Sequence, residues 1–298
     1  MKHLVLPLLA AGILLSSCAT PSPTPAIQTA AAESVIVPTR EAGKDLQLPA
    51  ILHMPVGDGP FPAVVMLCGQ GGWAGGGPNA EHQTFWARKL AGWGYVALQV
   101  ESFSPRGPGS VESVTADTAC RDAYAAKTYL SALPFVDPGN IAVIGWSHGG
   151  IAVLSIIDRS LVLSREQIVA DGPGSSVRRV APFKAAVAFY PYSHPLVDPD
   201  TPLLVLTGRK DDACPVRLTS ALKASYAKTQ YEFSLRIYPN AYHAFDLEAL
   251  RGGITYNRHH FEYDPRATSD AINRTRDFLA KHLRALTSSI PLQFSHNL

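Results

Sequence analysis

Short apolar runs recur along the chain, separated by stretches in which the apolar positions step by three and four. Ala63 to Leu67, Tyr95 to Val100, Ile141 to Ile144, Ala185 to Phe189, Leu203 to Leu206 and Phe233 to Tyr238 are the runs. The length and the Val, Ile and Leu content of the first five predict strands buried on both faces, and Phe233 to Tyr238, with Ser234 and Arg236 among its apolar residues, predicts a last strand. Between them, Ala119, Ala123, Ala126, Leu130 and Leu133 mark one face of a helix, as the 3.6-residue period requires. Residues 81–90 form another helix burying Phe85, Trp86 and Leu90 and ended by Gly92 and Gly94, and Ile151 to Ile157 is the buried part of a third. A helix over 215–228 and a last one from Ala267 to Leu286 complete the alternation, and Asp137-Pro138-Gly139-Asn140 has turn composition that ends the 119–133 helix.

Ahead of the first run, Ser34 to Val37 and Leu46 to Met54 flank Glu41-Ala42-Gly43-Lys44-Asp45, which predicts a hairpin. Strands alternating with helices imply an α/β fold: a mostly parallel central sheet with helices on both faces, an antiparallel N-terminal hairpin at its edge, and a site at the carboxyl ends of the strands. Residues 161–182 break the rhythm with the loop composition Asp171-Gly172-Pro173-Gly174-Ser175-Ser176, a cap or lid insertion in a single domain spanning 33–298.

The N-terminus stands apart from this pattern. Lys2 followed by the apolar Leu4 to Leu15 reads as a signal peptide over residues 1–17. Leu15-Ser16-Ser17-Cys18 resembles the bacterial lipobox, which implies lipidation of Cys18 and a Pro, Ser, Thr and Ala tether over 18–32. The expectation is an exported, membrane-anchored lipoprotein of the cell envelope, or a periplasmic or secreted protein without the anchor.

Composition adds exclusions. A hydrophobic fraction of 46% with 17% charged residues suits a full core, and a net charge of +2 without basic runs offers nucleic acid no footprint. Cys68, Cys120 and Cys214 then remain in a disulfide-permissive compartment, where Cys120 and Cys214 could bridge. No cysteine or histidine spacing suits a structural metal, and none is expected.

The chemistry concentrates after Ile141 to Ile144, in Gly145-Trp146-Ser147-His148-Gly149-Gly150. A Gly-x-Ser-x-Gly turn from strand to helix exposes the serine oxygen, provided an acid and a base follow on later strand ends. Asp211, with Asp212 as its rival, follows the 203–206 strand, and His243 follows the last strand, with His194 as an alternative base. Backbone N–H groups of His148 and Gln70 are the candidate oxyanion donors. Trp73, Phe103, Trp146, Tyr190 and Tyr192 are candidate pocket residues, and Arg106 a candidate anchor for a substrate carboxylate. A competing reading, a nucleotide-binding or other ligand-binding module, rests on Gly69-x-Gly71-x-x-Ala74 with Glu101 as a ribose ligand. The glycines at 75–77 delay the next helix and weigh against it.

In combination, Gly57-Asp58-Gly59-Pro60-Phe61-Pro62, Ser102-Phe103-Ser104-Pro105-Arg106-Gly107, Asp122-Ala123, the Ser147 elbow and Tyr238-Pro239-Asn240-Ala241-Tyr242-His243-Ala244-Phe245 resemble the dienelactone hydrolase family of α/β-hydrolases across Ser34 to Leu286. The resemblance implies the α/β-hydrolase fold and hydrolysis of small carboxylic esters or lactones through an acyl-enzyme, without a cofactor. Founding members use a cysteine nucleophile where this chain has Ser147. A peptidase on the same fold is the nearer alternative.

Overall fold

The computed structural model describes residues 31–107, 114–161 and 181–283. The signal segment, Cys18 and residues 162–180 of the expected lid lie outside them. The chain opens with a long hairpin, β1 (Ala31–Glu41) and β2 (Lys44–Met54), paired antiparallel along its whole length. Ala42 and Gly43 both have positive φ, 48° and 78°, the backbone of a type I′ turn, whose twist matches that of the strands it joins. The first strand begins two residues inside the expected tether, because Ala31 and Ala32 pair in register with Met54 and His53. Backbone pairing, which apolar composition does not report, orders them.

Six parallel-sheet strands follow: β3 (Phe61–Leu67), β4 (Val96–Val100), β5 (Val136–Trp146), β6 (Ala186–Phe189), β7 (Leu203–Gly208) and β8 (Phe233–Tyr238). The sheet order is β1-β2-β4-β3-β5-β6-β7-β8, antiparallel at the hairpin and parallel from β4 onward. Alternate residues of each apolar run serve opposite faces. Val64, Met66, Ile144, Val187 and Leu206 pack under α1 (Gly77–Gly92), while Val65, Leu98, Val143, Ala188 and Val205 pack under α2 (Ala116–Ser131) and α3 (His148–Ile156). The short α4 (Thr219–Tyr226) joins the second layer and α5 (Pro265–His282) the first. Two buried faces explain why the runs in β3 to β7 are almost continuously apolar, while the edge strand β8 is half-buried and carries Ser234 and Arg236.

Several boundaries differ from expectation for local reasons. Asp137-Pro138-Gly139-Asn140 lies inside β5 as a bulge, between the pairs Phe61 with Val136 and Ala63 with Ile141. Asp137 accepts hydrogen bonds from Gly139 N at 2.9 Å and Asn140 Nδ2 at 2.6 Å, so the turn chemistry is present but the strand continues past it. The last helix starts at Pro265, two residues early, because the Asp264 carboxylate caps Arg266 N and Ala267 N. Before α4, Val216–Leu218 forms a turn of 3₁₀ helix instead of the expected α-helix. A small second hairpin, β9 (Ile254–Tyr256) with β10 (His259–Phe261), has no counterpart in the apolar pattern. Cys68, Cys120 and Cys214 are buried and not disulfide-bonded, so the possible Cys120 to Cys214 bridge is absent.

Candidate active site

Ser147 stands at the junction of β5 and α3 with φ 52° and ψ −112°, a conformation that L-residues seldom adopt. Its N–H donates to Phe189 O at 3.0 Å, and its carbonyl accepts the first bond of α3 from Ile151 N at 2.9 Å. The flanking glycines are required by space. A Cβ on Gly149 would stand 2.3 Å from Leu67 O, and one on Gly145 2.2 Å from Gly149 O. The elbow is therefore pressed against β3, with Ser147 projecting from its outer side.

Two loops from farther along the sheet meet it. Ser147 Oγ lies 2.9 Å from His243 Nε2, and His243 Nδ1 lies 2.8 Å from Asp211 Oδ2. Asp211 Oδ1 accepts from Cys214 N at 2.7 Å, which fixes the carboxylate from its other side. An imidazole held between a carboxylate and a hydroxyl can accept the hydroxyl proton while the carboxylate steadies the resulting cation. Asp212, the rival acid, instead faces His259 at 3.2 Å, and His194 lies outside the cavity lining. Tyr190, with φ 37°, stacks edge-on to the His243 ring at 4.7 Å between centroids.

Together these groups open into a cavity of about 740 Å³. Gln70, His148, Trp146, Tyr190 and Tyr192 line it. His148 is the first residue of α3, whose N–H has no acceptor within the helix. The loop carrying Gln70 touches the elbow, since a Cβ on Gly69 would lie 3.8 Å from Ser147 Cβ. Burial holds the His148 imidazole below its usual range, and its ring meets Phe103 at 5.4 Å.

Three expected pocket residues are elsewhere. Phe103 is buried behind His148, and Trp73 is partly buried against the core and does not line the cavity. Arg106 is no substrate anchor: its guanidinium makes two 3.0 Å bonds to Asp122, one of 2.8 Å to Glu41, and another to Ser102 O. With its side chain 7% exposed, it has no face left for a ligand. Glu101 is likewise no ribose ligand. Its oxygens accept from Trp73 N, Ala74 N, Phe103 N and Ser104 N at 2.6 to 3.1 Å, so the carboxylate ties the glycine loop to the next strand end.

One buried group beside the site, with as many bonds as Glu101, escaped sequence reasoning. Asp246, three residues past His243, is wholly buried, and its Oδ2 accepts from His82 Nε2 and Trp86 Nε1 at 2.9 Å and Trp146 Nε1 at 3.1 Å, while Oδ1 accepts from Tyr190 OH at 2.8 Å. Burial pushes this carboxyl upward, but His82 and the Tyr190 and Trp86 donors outweigh it and hold it below the usual carboxylate range. The β9–β10 hairpin also escaped. It supplies Ile254, Tyr256 and Phe261 to the cavity, and Phe261 bridges to the backbone of His243. Its Asn257-Arg258 turn has positive φ at both residues but lacks the glycine that marks such a turn in sequence.

Among the described residues, one trio has ligand atoms close enough for a metal ion: Asp211, Cys214 and His243. The donor set fits a hydrogen-bonded chain better. Two of its atoms already bond to each other, and burial pushes the Cys214 thiol up to about 12, far from the thiolate that binds metals.

No curated protein matches the chain in sequence. The model of the dienelactone hydrolase family matches residues 175–283. Among solved structures, a candidate dienelactone hydrolase of Klebsiella pneumoniae is similar at TM-score 0.61 and 20% identity, covering 84% of this chain and 99% of that one. A dienelactone hydrolase-like promiscuous phosphotriesterase from metagenomic libraries gives 0.62 and 20%, covering 85% and 99%. An esterase of the planctomycete Thermogutta terrifontis, solved with propionate, gives 0.61 and 18%, covering 85% and 96%. Likeness at these identities speaks for the fold. The chain has the α/β-hydrolase fold of these structures, and over residues 175–283 it is similar to the dienelactone hydrolase family.

Proposed function

We propose that this protein is a serine hydrolase that cleaves carboxylic esters or lactones through an acyl-enzyme. The observation that carries the reading is the unbroken hydrogen-bonded chain from Ser147 Oγ through His243 to Asp211, opening into a cavity. In this reading His243 Nε2 takes the Ser147 proton as Oγ attacks the ester carbonyl, and Asp211 holds the imidazole in the tautomer that leaves Nε2 free to accept. The tetrahedral oxyanion lies against the N–H groups of His148 and Gln70. Collapse expels the alcohol, protonated by the imidazolium, and water entering by the same base frees the acid and restores Ser147.

The family model over residues 175–283 and the names of several similar structures support an ester substrate, although a dipeptidyl peptidase of Porphyromonas gingivalis also shares the fold. Two of the three similar structures described above are named for esterase or dienelactone hydrolase activity, and the third for phosphotriester cleavage. We further propose that the chain is exported and held at a membrane by lipid on Cys18, a reading that rests on the lipobox resemblance.

A fluorophosphonate probe, with the adduct located by mass spectrometry beside a panel of nitrophenyl esters, tests the mechanism. Labelling at Ser147 and turnover lost by at least about a thousandfold in Ser147→Ala are expected. An unlabelled Ser147, or full turnover in the variant, would defeat it. Fatty-acid labelling that persists in Cys18→Ala would defeat the anchor.

A further inference from the structure

One wall of the cavity is apolar, built by Leu247, Leu250, Ile254 and Phe261; another, on the first turns of α1, is polar and short of partners. Gln83 is 2% exposed, its Oε1 is sealed from solvent without a hydrogen bond, and no described residue bonds to its amide nitrogen. His82 commits Nε2 to Asp246, which as a carboxylate only accepts and so keeps the proton on that nitrogen. Nδ1 remains, with no described residue bonded to it. Asn79, which is exposed to solvent, donates Nδ2 to Gly72 O at 3.2 Å, which fixes its amide and leaves Oδ1 for water or a ligand. All three side chains line the cavity that holds Ser147 and His243.

Buried polar groups are almost always paired, and a group left unpaired in a cavity wall is one that a ligand completes. We infer that Asn79, His82 and Gln83 form a subsite for a hydroxyl group, so that the substrate is an ester whose acyl or alcohol part carries a neutral hydroxyl; this rests on the ester-hydrolase reading above. A hydroxyl both donates and accepts. It answers the Gln83 amide whichever way round that amide is turned, and it can donate to His82 Nδ1, which the proton on Nε2 leaves as an acceptor. A carboxylate can only accept and meets Asn79 Oδ1, a fixed acceptor, with repulsion. Arg106, the cation that sequence reasoning offered to such a group, is bound to Asp122 and Glu41 away from the cavity. The Asp246 bond keeps the His82 ring from turning, so the subsite is formed before substrate arrives.

The test uses the whole chain and two matched pairs of esters in which a methyl replaces the hydroxyl. One pair is nitrophenyl 3-hydroxybutanoate against nitrophenyl 3-methylbutanoate; the other is 2-hydroxyethyl butanoate against propyl butanoate. In at least one pair the hydroxylated member is expected to have a kcat/KM about tenfold or more higher, because the isostere leaves buried polar groups unpaired. In Gln83→Leu, and in the unbranched Gln83→Met should the first not fold, that ratio falls about fivefold or more, while Ser147 still takes the fluorophosphonate. Ratios at or below one in both pairs, a ratio that survives both variants, or a preference for a carboxylate-bearing ester each overturn the subsite. No turnover of any ester together with an unlabelled Ser147 overturns the hydrolase reading, and the substrate claim with it.

Discussion

The Asp246 carboxylate gathers four donors from three distant parts of the chain: His82 and Trp86 on α1, Trp146 in the elbow, and Tyr190 after β6. Asp246→Ala removes every acceptor at once. Each buried donor left unsatisfied costs about 1–3 kcal/mol, so the loss is about 4 kcal/mol at the least, a large part of a stability of about 5–15 kcal/mol. Asp246→Asn keeps the shape. With its carbonyl in the place of Oδ2 it still accepts from His82, Trp86 and Trp146, and its amide N–H can donate to the Tyr190 oxygen, which rotates to receive it. What changes is the charge: four charge-assisted bonds become neutral ones, partly offset because no carboxylate has to be desolvated, for a net cost of about 1–3 kcal/mol.

Urea unfolding at pH 7, followed by tryptophan fluorescence with the m-values compared, measures both variants. Trp86 and Trp146 report the lost bonds directly. A cost below about 2 kcal/mol for alanine, or no larger for alanine than for asparagine, would refute the assignment of Asp246 as the shared acceptor. The pH dependence has a definite sign. The folded carboxyl is held below its unfolded value, so its contribution is complete above the unfolded pKa of about 3.9 and is lost as pH falls through the depressed folded value. The advantage of the native protein over Asp246→Asn therefore persists above about pH 4 and shrinks below it.

Arg106→Ala strands the fully buried Asp122 carboxylate and should cost about 3–5 kcal/mol in urea unfolding, with no change in the relative kcat/KM of neutral and carboxylate-bearing esters. Gly149→Ala forces a Cβ to 2.3 Å from Leu67 O; a loss of about 3 kcal/mol or more is expected, read as a lowered melting temperature. Burial pushes the thiols of Cys68 and Cys214 upward. Iodoacetamide at pH 8 should leave both unmodified in the native protein and alkylate both in urea, as mass spectrometry would record.

The fold was legible to the extent that it follows from local periodicity. The five apolar runs from Ala63 to Leu206 are all strands, because a strand buried on both faces has to be apolar almost throughout, and the edge strand Phe233–Tyr238 alternates because it is only half-buried. The Asp137 to Asn140 turn misled, because a turn signal states local geometry without saying whether a strand resumes in register beyond it. At the site, Ser147, Asp211 and His243 could be singled out because each follows a recognisable strand and their order along the chain fits the elbow. The hairpin at Ile254–Phe261 and the hub at Asp246 could not, since a three-residue strand is too short to show a period and a lone aspartate has no pattern at all.

The division has one physical cause. The sequence by itself determined what is written within a few residues: which runs are strands, where glycine must leave room for the Ser147 elbow, and where an acid and a base follow strand ends. Tertiary structure alone decided who bonds to whom across the chain. His82 meets Asp246 over 164 residues, and Arg106 meets Glu41 over 65. A charge or an imidazole declares in sequence that it needs a partner, but nothing local names one. Only the packing of α1 and the strand-end loops around one cavity determines that Arg106 and Glu101 brace loops, Asp246 binds four donors, and Gln83 Oε1 is buried without a partner.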